Sequence, residues 1–417
     1  MTHPVSEIGR LYGPEFAADP QATYTALRAR FGAVAPVEVV PGIGAHLVIG
    51  YQAALDVLTN ADSVWSKDSR PWERRLPDTP AAAGVKGMLG FRTNPLFTDG
   101  AEHARYRRVI SDCYRMIQPH RLRNLVIEVA DSLIGSFAPT GAADLVREFG
   151  KPIPLRVFNQ ILGRPDADSA TLVAALADMM ESDGEAAARG GEAFGRYMVE
   201  LVSAKYECRG DDLTSWIIDH PERLDFAEVL EHLVVTVGAS FEPMSSLISN
   251  AVSRMVSDDR YYSSLTNGAL TAYDALQEVL RAEPAMANYG PYFVVRPILF
   301  HGTWLQPGEL VLVSYAAANT APIPLADELR SDGGAYLGFG AGAHRCPASD
   351  PATIIAVTAI ERLITHLSDL ELQVPREELT WRPGPFHRSL AHLPVRFTPI
   401  RPHQPGASSW PPLPPSR

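Results

Sequence analysis

One cysteine in the last quarter of the chain lies in surroundings that could make it a metal ligand. The stretch YLGFGAGAHRCPASDPATIIA, which begins at Tyr336, runs a glycine-rich loop into Cys346 and then into a helical pattern. Gly338, Gly340 and Gly342 allow positive φ and let the backbone pass close to a flat ligand. A cysteine at the start of a helix feels unpaired backbone N–H groups and the positive end of the helix dipole, and both stabilise a thiolate. Pro347 is then expected at the first helical position, where no N–H is needed. A lone cysteine is by itself a small buried hydrophobe, but in this loop it reads as a thiolate able to ligate iron.

Two further constellations could hold an anionic group. In DGAEHARYRRVISD, His103 and Arg107 stand four apart and so share one helix face. In ALQEVLRAEP, Glu278 and Arg281 stand three apart, also on one face. Taken singly, such charges are ordinary surface residues; their order along the chain gives them weight.

The cysteine loop resembles the heme-binding loop of the cytochrome P450 family, Phe-Gly-x-Gly-x-His-x-Cys. Phe339, Gly340, Gly342, His344 and Cys346 match it, while Pro347 and Ala348 depart from the commonest residues after the cysteine. The resemblance spans about residues 14 to 400. It implies heme b (iron protoporphyrin IX) with Cys346 as the axial ligand and sole protein ligand of the metal, and Phe339 packed against the sulfur. His103, Arg107, Arg296 and His344 are the implied contacts to the two propionates. Glu278 and Arg281 are the implied brace on the proximal side, with Arg330 as a further partner. Thiolate ligation favours O–O bond cleavage, so the resemblance implies an oxidoreductase dependent on O2 and an electron donor.

The long apolar pattern FAEVLEHLVVTVGASFEPMSSLISNAVSRMV is similar to the family's distal helix, whose pattern is Ala-Gly-x-Glu/Asp-Thr. Ala239, Ser240, Phe241, Glu242 and Pro243 fall on it: the acid is kept and the alcohol is replaced by proline. Proline has neither hydroxyl nor N–H and clashes with the carbonyl four residues back, so a kink or widened groove is expected at Ala239. Without the alcohol, general-acid delivery of protons for hydroxylation is weakened, whereas removal of two hydrogens from two aromatic groups inserts no oxygen. The Glu-Pro pair, the Cys-Pro-Ala run and a short segment before the cysteine loop are similar to actinobacterial enzymes of the biarylitide type. Those enzymes join Tyr to His, Tyr or Trp in short ribosomal peptides. The expected function is therefore oxidative cross-linking of aromatic side chains in a peptide, in secondary metabolism. Hydroxylation or epoxidation of a small metabolite is one alternative, and a non-catalytic P450-fold protein binding heme or a partner is another.

The elements that must position these residues are mainly helical. Apolar residues at three- and four-residue spacing predict helices over 102–117, 120–136, 168–181, 191–207, 226–256, 271–282 and 351–367. Two strands, VEVV and HLVIG, flank a PGIG turn before a helix through YQAALDVLT, and strand-like pieces return near 292–300, 309–313 and 394–398. The Pro and Gly clusters at 150–154, 283–291 and 383–385 read as turns. With no internal repeat or flexible linker, residues 1–400 are expected to form one mainly α domain with small β-sheets. The Pro-rich tail 401–417 is expected to be disordered.

The chain has 417 residues, 46% of them hydrophobic, which suffices for a large core, and its formal net charge of -11 disfavours nucleic acid and anionic membranes. Three cysteines, odd in number and far apart, suit a reducing cytoplasm. No run approaches a membrane span, so a cytoplasmic monomer is expected. Lys67, Arg70, Arg74, Arg75 and Arg92 could form a charged mouth for a carboxylate-bearing or peptide substrate, or simply a solvated loop. The chain carries no flavin or iron-sulfur motif, so ferredoxin and ferredoxin reductase are the expected electron donors. Arg105, Arg108 and Arg345 would be the docking face for an acidic ferredoxin.

Overall fold

The computed structural model describes residues 8–59, 64–164, 172, 174–176, 185–258, 260–261, 270–322 and 336–400. Its organising element is the helix Phe226–Ser257, 32 residues long. Asp225 starts it through a capping box: its carboxylate accepts from the Glu228 N–H at 2.9 Å, and the Glu228 carboxylate accepts from the Asp225 N–H at 2.9 Å. Nearly every residue from Met244 to Met255 is buried, so the helix runs through the middle of the molecule. Around it pack Pro152–Ile161, Glu185–Glu207, Ala272–Ala282 and Ser349–His366.

Glu228 also ties the helix carrying His103 and Arg107, Gly100–Met116, to this axis. Its carboxylate accepts from Arg105 at 2.5 and 3.0 Å and from the Tyr106 hydroxyl at 2.8 Å. At the other end, Glu278 of Ala272–Ala282 is paired with Arg254 and accepts from the Tyr261 hydroxyl at 2.7 Å.

The strands are β1 (Gly9–Arg10), β2 (Val34–Val40), β3 (Ile43–Val48), β4 (Trp65–Ser66), β5 (Ala142–Asp144), β6 (Asn288–Val294), β7 (Ile298–Phe300), β8 (Thr303–Leu305), β9 (Leu310–Ser314), β10 (Glu371–Leu372) and β11 (Pro394–Arg396). The main sheet has the order β1-β2-β3-β9-β6-β4, with β3 and β9 parallel and β2 antiparallel to β3. Where β6 meets β9 the register shifts between Tyr289 and Tyr292, a bulge that includes Gly290 at φ 62. A Cβ at Gly290 would stand 2.6 Å from the Tyr315 hydroxyl. The bulge sets which way Tyr292 points.

These elements form one mainly helical domain with small sheets, with two apolar clusters among the helices and two around the sheet. Most of the predicted helices are present: Gly100–Met116, Pro119–Phe137, Glu185–Glu207, Phe226–Ser257, Ala272–Ala282 and Ser349–His366. The 168–181 prediction falls largely, and the tail 401–417 wholly, outside the described residues. One prediction is corrected. The 150–154 cluster is not a turn: the chain is helical over Val146–Gly150 and again over Pro152–Ile161, because Pro152 sits at the helix start, where its missing N–H costs nothing. Among the described residues no helix is long and apolar enough to cross a membrane.

The Arg105 guanidinium holds the Glu228 carboxyl down from 4.5 to about 2, against the opposing effect of burial. A carboxylate whose folded pKa is depressed adds stability above its unfolded value and loses it as pH falls through the folded one. Glu228→Gln should therefore lower the melting temperature at neutral pH, and the gap to the wild type should close between about pH 4.5 and 2. Thermal melts across that range check this; a gap independent of pH would exclude the ion pair as its cause.

Candidate active site

The cysteine loop is closed by its own backbone. The Gly340 N–H donates to Leu337 O at 2.8 Å, the Cys346 N–H to Phe339 O at 2.8 Å and the Arg345 N–H to Gly342 O at 3.1 Å. Gly340 and Gly342 take φ of 71 and 67, a region open to glycine and strained for other residues. Gly342 has a second constraint, since a Cβ there would lie 2.0 Å from the Leu58 carbonyl oxygen of the neighbouring helix Tyr51–Thr59. Phe339 contributes its carbonyl to the loop and packs its ring on the helical core.

The helix after the loop begins at Ser349, with Ala348 as its cap, so Pro347 precedes the helix instead of opening it. Cys346 is half-buried. Burial pushes its thiol up, while the Ala348 N–H and the Arg107 and Arg345 guanidiniums pull it down. Cys113 lacks such company: burial and the nearby Asp112 carboxylate push it up to about 12. Cys208 is exposed.

A second group of side chains carries positive charge inside the protein. The rings of His103 and His344 lie 4.0 Å apart, tilted by 33°. Burial drives His344 down to about 2, aided by repulsion from Lys67, His103 and Arg107. Lys67 is 1% exposed and Tyr292 is fully buried. The Lys67 ammonium sits 3.5 Å above the Tyr292 ring and donates to the Pro291 carbonyl at 2.9 Å. Burial lowers Lys67 to about 7. The nearby Asp99 carboxylate already accepts from the Ser66 hydroxyl and the Lys67 backbone N–H, each at 2.7 Å.

Arg296, expected in this group, is not in it. It is exposed, beyond the end of β6 on the way to β7, while Tyr292, inside the strand, is buried. The sequence reading placed Lys67 in a charged mouth, and the β4–β6 pairing puts it in the interior. The rest of that mouth is dispersed as well. Arg70 pairs with Asp68 at 2.8 Å, Arg75 donates to the Pro307 carbonyl at 3.1 Å, and Arg92 lies 3.6 Å from Glu231.

On the long helix, Gly238 and Ala239 are exposed and Val235 and Pro243 half-buried, an open face on an otherwise buried element. Glu242 is 4% exposed, with one oxygen paired to Arg382 of the C-terminal loop and the other buried without a hydrogen-bond partner among the described residues. Lys151 and His387 lie in its electrostatic reach, and burial holds His387 down at about 4. The helix assignment continues through Pro243, so the expected disruption does not end or divide it.

Glu278 and Arg281 do not form the expected pair: Glu278 faces Arg254, Arg260 and Tyr261, while Arg281 is exposed. Arg254, from the central helix, reaches the carboxylate from outside its own helix. Arg330 lies outside the described residues. Of the expected docking arginines, Arg105 is neutralised by Glu228 and Arg108 by Glu222, leaving Arg345 exposed.

The arrangement offers a thiol on a loop closed by its own backbone, with the buried Lys67 ammonium and the stacked His103 and His344 imidazoles, the latter from the same loop, as donors able to receive carboxylates. These donors fit a flat cofactor with two acidic arms. The chain matches no protein-family model. It is 31% identical over 405 residues to the cytochrome P450 monooxygenase PikC of Streptomyces venezuelae, covering 94% of each chain. It is 29% identical over 323 residues to the mycinamicin IV hydroxylase/epoxidase of Micromonospora griseorubida, covering 75% of this chain and 80% of that one. Among solved structures, CYP154C4 from Streptomyces sp. W2061 superposes with a TM-score of 0.80 at 25% identity, over 95% of this chain and 98% of its own.

Gly342→Ala should destabilise the protein by about 2 kcal/mol or more, since it combines a positive φ with a backbone collision. Gly84, in the helix Pro80–Leu89, has open space around it, so Gly84→Ala should be neutral or stabilising. Chemical denaturation of the two variants checks the contrast, and equal effects would show that the Leu58 contact does not constrain the loop.

Proposed function

The chain belongs to the cytochrome P450 family, and on that premise we propose that Cys346 is the axial ligand of its heme and that it couples aromatic groups of a peptide by removing two hydrogens. It is an oxidoreductase that binds heme b, and the non-catalytic alternative falls away. When bound, the heme supplies O2 activation driven by external electrons, with the thiolate favouring O–O cleavage. His103, Arg107 and His344 would hold its carboxylates, and Phe339 and Gly340 shape the loop that would present the sulfur. Ala239, exposed on the central helix, would leave room for the substrate.

The observation that carries the coupling reading is the state of the two positions that would serve proton delivery. Pro243 has no hydroxyl, and Glu242 is buried with one oxygen held by Arg382. A general acid must present a proton to the reacting atoms, and neither residue is arranged to do so here. Abstraction of hydrogens from two phenol, indole or imidazole groups places less demand on that apparatus. Tyr joined to His, Tyr or Trp in a short peptide is the product class this favours, in keeping with the biarylitide-type resemblance. A second reading, hydroxylation or epoxidation of a small metabolite, draws support from the names of the relatives above. Either reaction belongs to secondary metabolism. The proposed partners are a ferredoxin and its reductase, and the proposed setting is the cytoplasm, as a monomer.

Cys346→Ala should abolish the long-wavelength absorption band of the reduced CO complex that thiolate ligation produces. Persistence of that band would remove Cys346 from the iron. With redox partners and a Tyr-containing peptide, the product should be lighter by two hydrogens; a product heavier by one oxygen that incorporates label from isotopic O2 would favour the second reading. Pro243→Thr should shift the balance toward oxygen insertion and raise the melting temperature, because an interior proline costs a helix about 3 kcal/mol. No change in either measurement would make Pro243 a tolerated core residue without a role in the chemistry.

A further inference from the structure

We infer that Lys67 and Tyr292 together do the work expected of Arg296, holding one heme propionate between an ammonium and a phenol. This deepens the reading of Cys346 and its loop as a heme site and rests on it.

The strand register produces the pair. In the antiparallel β4–β6 ladder, Trp65 stands opposite Val294 and Ser66 opposite Phe293. Continuing that register brings Lys67 to Tyr292, where the ammonium lies 3.5 Å over the ring. Arg296 is past the last residue of β6 and exposed.

Both side chains carry unused donor capacity in a buried place. An ammonium has three N–H donors. The hydrogen bond from Lys67 to a backbone carbonyl goes to Pro291, at 2.9 Å. The Tyr292 hydroxyl is buried with no hydrogen-bond partner among the described residues. A buried donor without an acceptor costs free energy, and a buried cation costs more. The ring of Tyr292 stands edge-on to His344 at 6.4 Å, and His344 stacks on His103. The unused donors therefore lie beside the imidazoles already assigned to the cofactor's acidic arms.

The charge balance calls for an anion. Lys67 stands over the Tyr292 ring, which meets His344, itself stacked on His103, so an ammonium and two imidazoles gather in one place. Asp99 is occupied by Ser66 and by the backbone of Lys67. A carboxylate received by the Lys67 ammonium and the Tyr292 hydroxyl would satisfy both donors and balance the ammonium's charge. Two donors from two strands would thus supply what a single guanidinium fork supplies elsewhere.

The test uses the full chain loaded with heme and the variants Lys67→Met, Tyr292→Phe and Arg296→Ala. Heme loss to excess apomyoglobin and thermal melting of the heme-free protein are measured for each. Lys67→Met should speed heme loss roughly tenfold or more, and Tyr292→Phe roughly threefold or more, as expected for an ion pair with a carboxylate and for a hydrogen bond to it from an uncharged donor. Arg296→Ala should leave the rate unchanged. In the heme-free state Lys67→Met should melt higher than the wild type, because it removes a buried ammonium whose nearby carboxylate, Asp99, is engaged by the Ser66 hydroxyl and the Lys67 backbone N–H. That opposition separates cofactor binding from a structural role, which would lower stability in both states. The inference is overturned if Arg296→Ala speeds heme loss, if Lys67→Met leaves the rate unchanged, or if Lys67→Met destabilises the heme-free protein. A wild-type chain that takes up no heme would instead overturn the reading of the whole site.

Discussion

Positive charge gathered inside a protein has to be met by negative charge, and this requirement shapes the heart of the structure. Lys67, His103, Arg107 and His344 converge from three separate segments, and burial, aided by their mutual repulsion, drives His344 toward its neutral form. Each would be more stable in water than beside the others. Their convergence makes sense when two carboxylates arrive with the cofactor, so the site is built to be completed by its ligand. Stability is spent there on affinity, as at many binding sites.

The scaffold supplies the rigidity that this strain needs. Glu228 joins the start of the central helix to the helix of His103 and Arg107 through Arg105 and Tyr106. The β6 bulge turns Tyr292 inward, and the short β4 pairing delivers Lys67 to it. Gly342 presses the cysteine loop against the Leu58 carbonyl, and the hydrogen bond from the Cys346 N–H to Phe339 O closes it. Three contacts of different kinds, an ion pair, a strand register and a backbone collision limit, thus locate thiol and cations relative to one another.

The central helix combines an open patch at Gly238 and Ala239 with a proline and a sequestered acid. The Glu242 side chain is drawn toward Arg382 of the C-terminal loop, which bends back beside the helix. An acid engaged by a guanidinium and buried is held in position, with one oxygen committed to that partner. The protein therefore retains the means of binding its cofactor more fully than the side-chain pattern associated with inserting oxygen.

Local spacing settled much of this before any fold was known. The glycine-rich approach to Cys346, the four-residue separation of His103 and Arg107, and the apolar periodicity of the central helix are properties of a single segment. A single segment's geometry follows from its own residues. Partnerships between segments could not be read that way. Arg296 had the right residue type and the wrong place, because a bulge and a strand register decided that Tyr292 and Lys67 would face inward. Glu278 met Arg254 instead of Arg281, Glu242 met Arg382, and the helix after Cys346 began two residues later than the proline suggested. In each case the outcome turned on which side chain from a distant element arrived first, and that is set by packing in three dimensions, which spacing along the chain does not record.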